Sequence, residues 1–351
     1  MCIRDRIEFY IFSRAEYRSE MSSAGFEVDS TEALWHRPAE GEPRLGHTIP
    51  AHEGYHAAPP RDRLNDLRTE IMLAIEEAGI VTHYHHHEVG APGQVEIEVG
   101  FGSLLQMADA VMEMKYIISN IAHRAGMSAT FMPKPMFGEA GNGMHVHQYI
   151  THEGKSLFWD PTGEYAKLSR LALNWIGGLL SHAAALLGLC SPSTNSYRRL
   201  VPGYEAPISA FFGLSNRTAA IRVPAYAVNE RENRIEFRPP DATCNPYLGL
   251  AAMLMAGLDG VKRDINPTEH DFGPFDEDIM RMPEDQRARI KQLPTSLADA
   301  LDALEADHDF LLEGGVFSED LIQEWIALKR REVAEVNLRP HPHEYVLYYD
   351  L

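Results

Sequence analysis

Several short stretches of this chain alternate apolar and polar residues. In Gly93-Gln94-Val95-Glu96-Ile97-Glu98-Val99, the apolar Val95, Ile97 and Val99 alternate with Glu96 and Glu98. That period predicts a strand with one face in a core and carboxylates on the other. Arg234, Glu236 and Arg238 alternate with Ile235 and Phe237 in the same way, which sets three charged groups on one strand face. His145 and His147 in Gly143-Met144-His145-Val146-His147 also share a face, and a further strand is predicted over residues 8–12.

Helical spacing takes over elsewhere. Leu64, Leu67, Ile71 and Ile75 predict a helix stopped by Gly79, a long helix runs from Ser103 towards Gly126, and two more close the chain near residues 296–309 and 318–336. Residues 171–190 carry no formal charge, but Asn174, Ser181 and His182 interrupt them, so a buried helix is expected there and no membrane span. Residues 247–258 read as another core helix, and 266–294 as a Pro- and acid-rich loop. Strands interleaved with helices, without strict βαβ units, predict an α+β fold with a curved antiparallel sheet and flanking helices.

With 351 residues, 44% of them hydrophobic, the chain can bury a large core. A formal charge of −19 disfavours nucleic acid and anionic membranes as partners. Against that background, residues 198–238 hold seven arginines and four glutamates, with no lysine or aspartate. The inversion marks an anion site, because guanidinium grips carboxylate and phosphate bidentately and keeps its charge. Three cysteines without a Cys-x-x-Cys pair read as reduced cytoplasmic thiols. No phosphate-binding Gly-x4-Gly-Lys-Ser/Thr loop occurs.

The carboxylates and imidazoles suit a hard divalent ion such as Mg²⁺ or Mn²⁺, with an occasional imidazole tolerated best by Mn²⁺. The run His85-His86-His87 is not a zinc site, since consecutive strand residues point to opposite faces and the tetrahedral Cys/His spacing is missing.

The segments 85–96, 131–138, 143–147, 195–207, 216–222 and 234–241, together with the ending Pro340-His341-Pro342-His343-Glu344-Tyr345, resemble bacterial type I glutamine synthetase from about Ile7 to Leu351. The resemblance implies a cytoplasmic ATP-dependent ligase that phosphorylates the side-chain carboxylate of glutamate and lets ammonia displace the phosphate. It implies Glu8, Glu88 and Glu96 as ligands of one Mg²⁺ or Mn²⁺ ion, and His145 and Glu236 as ligands of a second. Arg199 and Arg238 would hold the glutamate carboxylates, with Gly141 in backbone contact. Arg217 and Arg222 would stabilise the transferring phosphate, while Phe101, His147, Arg222 and Arg231 match positions near the nucleotide. Glu205 matches a loop glutamate that shields the acyl phosphate and helps bind ammonium, with Tyr55 beside it. The family's partners are glutamate, ammonium and ATP, and its assembly is a homo-oligomer, a dodecamer of stacked hexamers.

The chain departs from that pattern in places. Ala140 stands where the family often has asparagine, and Arg6 stands where the metal strand usually carries a first glutamate two residues before Glu8. Residues 1–6 break abruptly from the pattern and read as a non-native start. Residues 7–351 read as the catalytic domain, with the family's small N-terminal β-domain absent. No tyrosine occurs between Tyr247 and Tyr345, so the tyrosine adenylylation of some relatives is not expected. Two other readings stand beside glutamine formation: a ligase joining glutamate to another amine, and a non-catalytic homologue.

Overall fold

The computed structural model describes residues 1–38, 41, 46–203, 206–227, 229–277 and 279–351. In chain order its strands are β1 (Cys2–Phe12), β2 (Arg14–Ser19), β3 (Ala24–Asp29), β4 (Thr82–His87), β5 (Gln94–Val99), β6 (Gly102–Ser103), β7 (Ser128–Thr130), β8 (Met144–Tyr149), β9 (Thr151–His152), β10 (Lys155–Ser156), β11 (Ser209–Leu214), β12 (Ala219–Val223) and β13 (Ile235–Phe237). The helices are α1 (Asn65–Glu77), α2 (Leu104–Arg124), α3 (Arg170–Ser181), α4 (Ala183–Cys190), α5 (Ser196–Arg199), α6 (Pro246–Lys262), α7 (Glu284–Arg287), α8 (Leu297–Ala306), α9 (Asp309–Leu312), α10 (Glu319–Asn337) and α11 (Pro342–Tyr348).

The hub is β1, which begins earlier than the predicted residues 8–12, so that Cys2 to Arg6 lie inside the main sheet. The sheet runs β11-β12-β13-β8-β1-β5-β4, with β6 and β7 also paired to β1. Its ladders are antiparallel except β11–β12, which is parallel. The far side of β11 is held by loops, through Phe212 N–H to the Phe272 carbonyl and Ala210 N–H to the Lys291 carbonyl. The sheet is therefore open and mixed, not fully antiparallel.

Alternation divides the sheet into two faces. Ile3, Ile7, Phe9, Val95, Ile97, Val99, Met144, Val146, Ile235 and Phe237 are all buried in one cluster. Val111, Met114 and Ile118 of α2 and Ile71 and Ile75 of α1 join it. Removing that much apolar surface from water is the main force holding the sheet to its helices. Local chemistry sets the helix ends. Gln106 Oε1 accepts from both the backbone and the hydroxyl of Ser103 before α2, Asn245 caps α6 ahead of Pro246, and Gly79 ends the α1 segment at φ +90°.

The apolar stretch 171–190 is buried as predicted, but it is two helices bent by 72° at His182. The cause is polar. His182 faces Asp259 of α6 at 2.8 Å and Asp307 beyond α8 at 2.9 Å, and stacks on Phe310 at 3.9 Å between ring centroids. No single described helix is long and apolar enough to cross a membrane. α3 and α6 pack backbone to backbone, and a methyl group at Gly178 or Gly260 would run into the opposite helix.

Candidate active site

The polar face of the sheet is built by register. Glu8 lies opposite Glu96 across β1–β5, and Glu96 lies opposite His86 across β5–β4. One step along, Arg6 pairs with Glu98 on one side and His145 on the other. A step further, Arg4, His147, Glu236 and Arg222 form a row across four strands. Neighbouring strands are about 4.8 Å apart, so these side chains meet. Arg4, Arg6, Glu8, Glu98, His145 and Arg222 from these rows line a cavity of about 380 Å³, together with Glu88, Arg199, Arg217 and Arg238.

Glu236 is the anchor of the arginine side. Its carboxylate is fully buried and accepts from Arg222 Nη1 at Oε2 and Arg238 Nη1 at Oε1, each at 2.9 Å. Burial alone would raise its pKa, yet Arg238, His147 and His145 hold it well below the carboxylate range. Arg199 is spent on backbone, donating to the carbonyls of Pro239 at 2.9 Å and Arg238 at 3.1 Å. The glycine loop beside it has no room for side chains. A Cβ on Gly141 would sit 2.5 Å from the Pro133 carbonyl and 2.8 Å from Arg199 Cγ. One on Gly143 would sit 2.5 Å from Arg199 Nη2 and 2.7 Å from His145 Nε2.

On the carboxylate side, burial pushes Glu8 up to about 8, with Glu88 and Glu96 adding to the effect and Arg199 and the Gly143 N–H opposing it. Glu8 Oε2 accepts that N–H at 2.7 Å. His86 Nε2 lies 3.2 Å from Glu96 Oε1 and 3.8 Å from Glu88 Oε1, all three residues being buried. Burial and the neighbouring Glu96 raise Glu88 as they do Glu8, whereas against its burial Arg6 and His86 hold Glu96 down to about 2. The hard oxygens of the three carboxylates fit Mg²⁺ or Mn²⁺.

A second ion at His145 and Glu236 would have to compete with guanidiniums. His145 qualifies, since burial and Arg238 push it down to about 3 and leave it neutral, with Nδ1 at 3.2 Å from Glu236 Oε1. Glu236, however, already serves two guanidiniums. The remaining position is Arg6, which donates to Glu96 Oε2 from Nε at 3.1 Å and Nη2 at 2.6 Å. Glu96, Glu236, Glu8 and Glu88 all raise the pKa of Arg6, against burial. A fixed organic cation stands among the carboxylates.

The remaining candidates are spread around this centre. Tyr55 lines the cavity, with Arg217 over its ring at 5.9 Å. Fully buried His147 meets Arg234 Nε at 3.4 Å, and Phe101 lies under Arg4 at 5.1 Å and Arg234 at 5.8 Å. Arg231 lies on an exposed turn outside the cavity, its N–H bonded to Asn229 Oδ1. Glu205 lies outside the described residues.

Sequence reasoning passed over His86, Tyr84 and Gln94. Tyr84 donates to Glu98 at 2.6 Å. Gln94 accepts from Gly90 N–H and donates to the Gly141 carbonyl and Asn142 Oδ1, joining two loops at the cavity wall. The sequence signal for His86 is its parity with Glu88, two residues on.

An open sheet carrying buried carboxylates next to a cluster of buried guanidiniums presents the kind of polar face that suits an enzyme handling anionic groups. The sequence profile described as Glutamine synthetase, catalytic domain, matches residues 2–348. Glutamine synthetase of Streptomyces filamentosus is 47% identical over 345 residues, covering 98% of this chain and 72% of that protein. Glutamine synthetase of Mycobacterium tuberculosis (strain CDC 1551 / Oshkosh) is 46% identical over 349 residues, with the same coverage. Among solved structures, Plasmodium falciparum glutamine synthetase superposes with a TM-score of 0.86 at 29% identity, covering 99% of this chain and 75% of that one. A GmaS/ADP complex gives 0.79 at 29% identity, covering 100% and 73%. The chain belongs to the glutamine synthetase family, and it is a ligase enzyme.

Proposed function

We propose that the chain joins ammonia to the side-chain carboxylate of L-glutamate at the expense of ATP, by way of γ-glutamyl phosphate. The observation that carries this reading is one cavity lined both by Glu8 and Glu88 and by Arg199, Arg217, Arg222 and Arg238, with Glu96 paired to Glu8 across β1–β5. In the first step a γ-carboxylate oxygen of glutamate attacks the γ-phosphorus of ATP and the bond to ADP breaks. In the second, ammonia attacks the acyl carbon and phosphate leaves. A divalent cation held by Glu8, Glu88 and Glu96 would supply charge neutralisation among the substrate and protein carboxylates. Arg199 and Arg238 bind the glutamate carboxylates, and Gly141 lets the substrate approach the loop backbone. Arg217 and Arg222 offset charge developing on the transferring phosphoryl oxygens. By the family resemblance Phe101, His147 and Arg231 belong to the nucleotide side, although Arg231 lies outside the cavity, and Glu205 with Tyr55 receives ammonium and keeps water from the acyl phosphate. The partners are therefore glutamate, ammonium and ATP, within a homo-oligomer.

Arg6 favours a second reading, a family member that binds substrates without turning them over, because its guanidinium takes Glu96 Oε2 and stands where a metal ligand is expected. Assay of the chain beside Arg6→Glu separates the two. Glutamine from the unaltered chain supports ligation, and glutamine from Arg6→Glu alone supports the binding role. Substrate binding without glutamine or phosphate release from both supports the binding role.

A further inference from the structure

We propose that His86 is a nitrogen ligand of the divalent cation at Glu88 and Glu96, and that it tilts this site towards Mn²⁺ over Mg²⁺. The inference rests on the reading of those glutamates as cation ligands, and adds a donor outside the all-carboxylate set.

The orientation of the ring is fixed on every side. His86 Nδ1 lies 2.9 Å from the His87 carbonyl, and a carbonyl only accepts, so Nδ1 carries a proton that it donates. The same carbonyl accepts the His56 N–H at 3.0 Å, using its second lone pair. His56 stacks on the imidazole at 4.6 Å between centroids and Tyr84 packs at 5.9 Å. With Nδ1 committed to backbone, Nε2 is the edge that can ligate, and a bound cation would displace the proton that Nε2 donates to Glu96 Oε1. This is the arrangement by which proteins orient metal-binding histidines, the distal N–H tied to a carbonyl. That Nε2 edge is turned to Glu96 Oε1 at 3.2 Å and Glu88 Oε1 at 3.8 Å. One donor atom from each of the three residues falls within 4.8 Å of the others, and all three residues are buried. Glu96 divides its oxygens, giving Oε2 to Arg6 and turning Oε1 to the imidazole.

The consequence is selectivity. Mg²⁺ prefers an all-oxygen shell, whereas an imidazole nitrogen is better accepted by the softer Mn²⁺. His86 therefore contributes more to Mn²⁺ affinity than to Mg²⁺ affinity.

The test uses the full chain titrated with MnCl₂ and read by pulsed electron paramagnetic resonance, which detects a directly bound ¹⁴N. The expected result is a ¹⁴N coupling in the unaltered chain that disappears in His86→Gln. Mn²⁺ affinity should drop about tenfold or more, and Mg²⁺ affinity, read by competition, about threefold or less. A spectrum of the unaltered chain without nitrogen coupling overturns the proposal, and needs no variant to fold. Coupling that persists in His86→Gln and vanishes in His145→Gln also overturns it, assigning the nitrogen elsewhere. Nitrogen-coupled Mn²⁺ in a chain that makes no glutamine would leave this inference standing while the ligase reading fell.

Discussion

Arg199 is positioned by what it cannot move away from. Two of its donors are held by the carbonyls of residues 238 and 239, and the glycine loop presses on its side chain. Gly143→Ala would push a methyl group against both Arg199 Nη2 and His145 Nε2. A displacement of about 1 Å in a positioned group costs on the order of 100-fold in rate. Steady-state kinetics of folded Gly143→Ala should therefore show kcat/KM for glutamate down by about that factor. A variant with unaltered kinetics would mean that the loop yields freely and Arg199 is not held by it.

Among helices and strands, the best-defined joint is His182 at the α3–α4 bend. Burial works against its protonation, but the hydrogen bonds and charges of Asp307 and Asp259 outweigh it and raise its pKa above the usual 6.5. Arg263, which bonds Asp259 at 3.0 Å, is the other charge at the joint. A raised folded-state value means that the unfolded chain holds fewer protons than the folded one between about 6.5 and that value. The stabilisation is thus complete below about pH 6.5 and is lost as pH rises through the folded-state pKa. At pH 6, His182→Gln should cost about 1–3 kcal/mol, and the gap should narrow at pH 9. Thermal melts of both proteins at the two pH values check this, and a gap that widens with pH would contradict it. Much at this scale was legible beforehand. Alternation at residues 94–99 and 234–238 located two strands and their chemical faces, and helical spacing located α1. The 72° bend was not legible, because Asp259 and Asp307 come from distant sequence and nothing within residues 171–190 announces them. The parallel β11–β12 pair was hidden for a similar reason, since no period encodes strand order. For the site, residue type and parity singled out Glu96, His145 and Glu236, but only the folded sheet brought the Arg6 side chain diagonally onto Glu96 and turned His86 towards it.

For the whole molecule, the chain spans 72% of the length of the curated relatives it matches. Its last helix, α11, leaves Tyr345, Val346, Leu347 and Tyr348 exposed, and Tyr349 just beyond it is exposed too. A run of apolar residues that dense on a surface suits contact with another copy of the chain. Leu347→Asp with Tyr348→Asp should lower the assembled mass seen by light scattering. An unchanged mass would place the subunit contacts elsewhere. The formal charge of −19 adds repulsion between copies, so assembly should also strengthen as salt screens it.

The central claim is that this carboxylate and guanidinium face performs ligation. It is tested most directly by following glutamine and phosphate together from glutamate, ammonium and ATP with Mg²⁺ or Mn²⁺, using the chain and Arg6→Glu. The account predicts one phosphate per glutamine, absolute dependence on the divalent ion, and a faster reaction in Arg6→Glu, where the fixed cation no longer competes for Glu96. Neither product from either protein, with both folded and binding Mn²⁺, would contradict it.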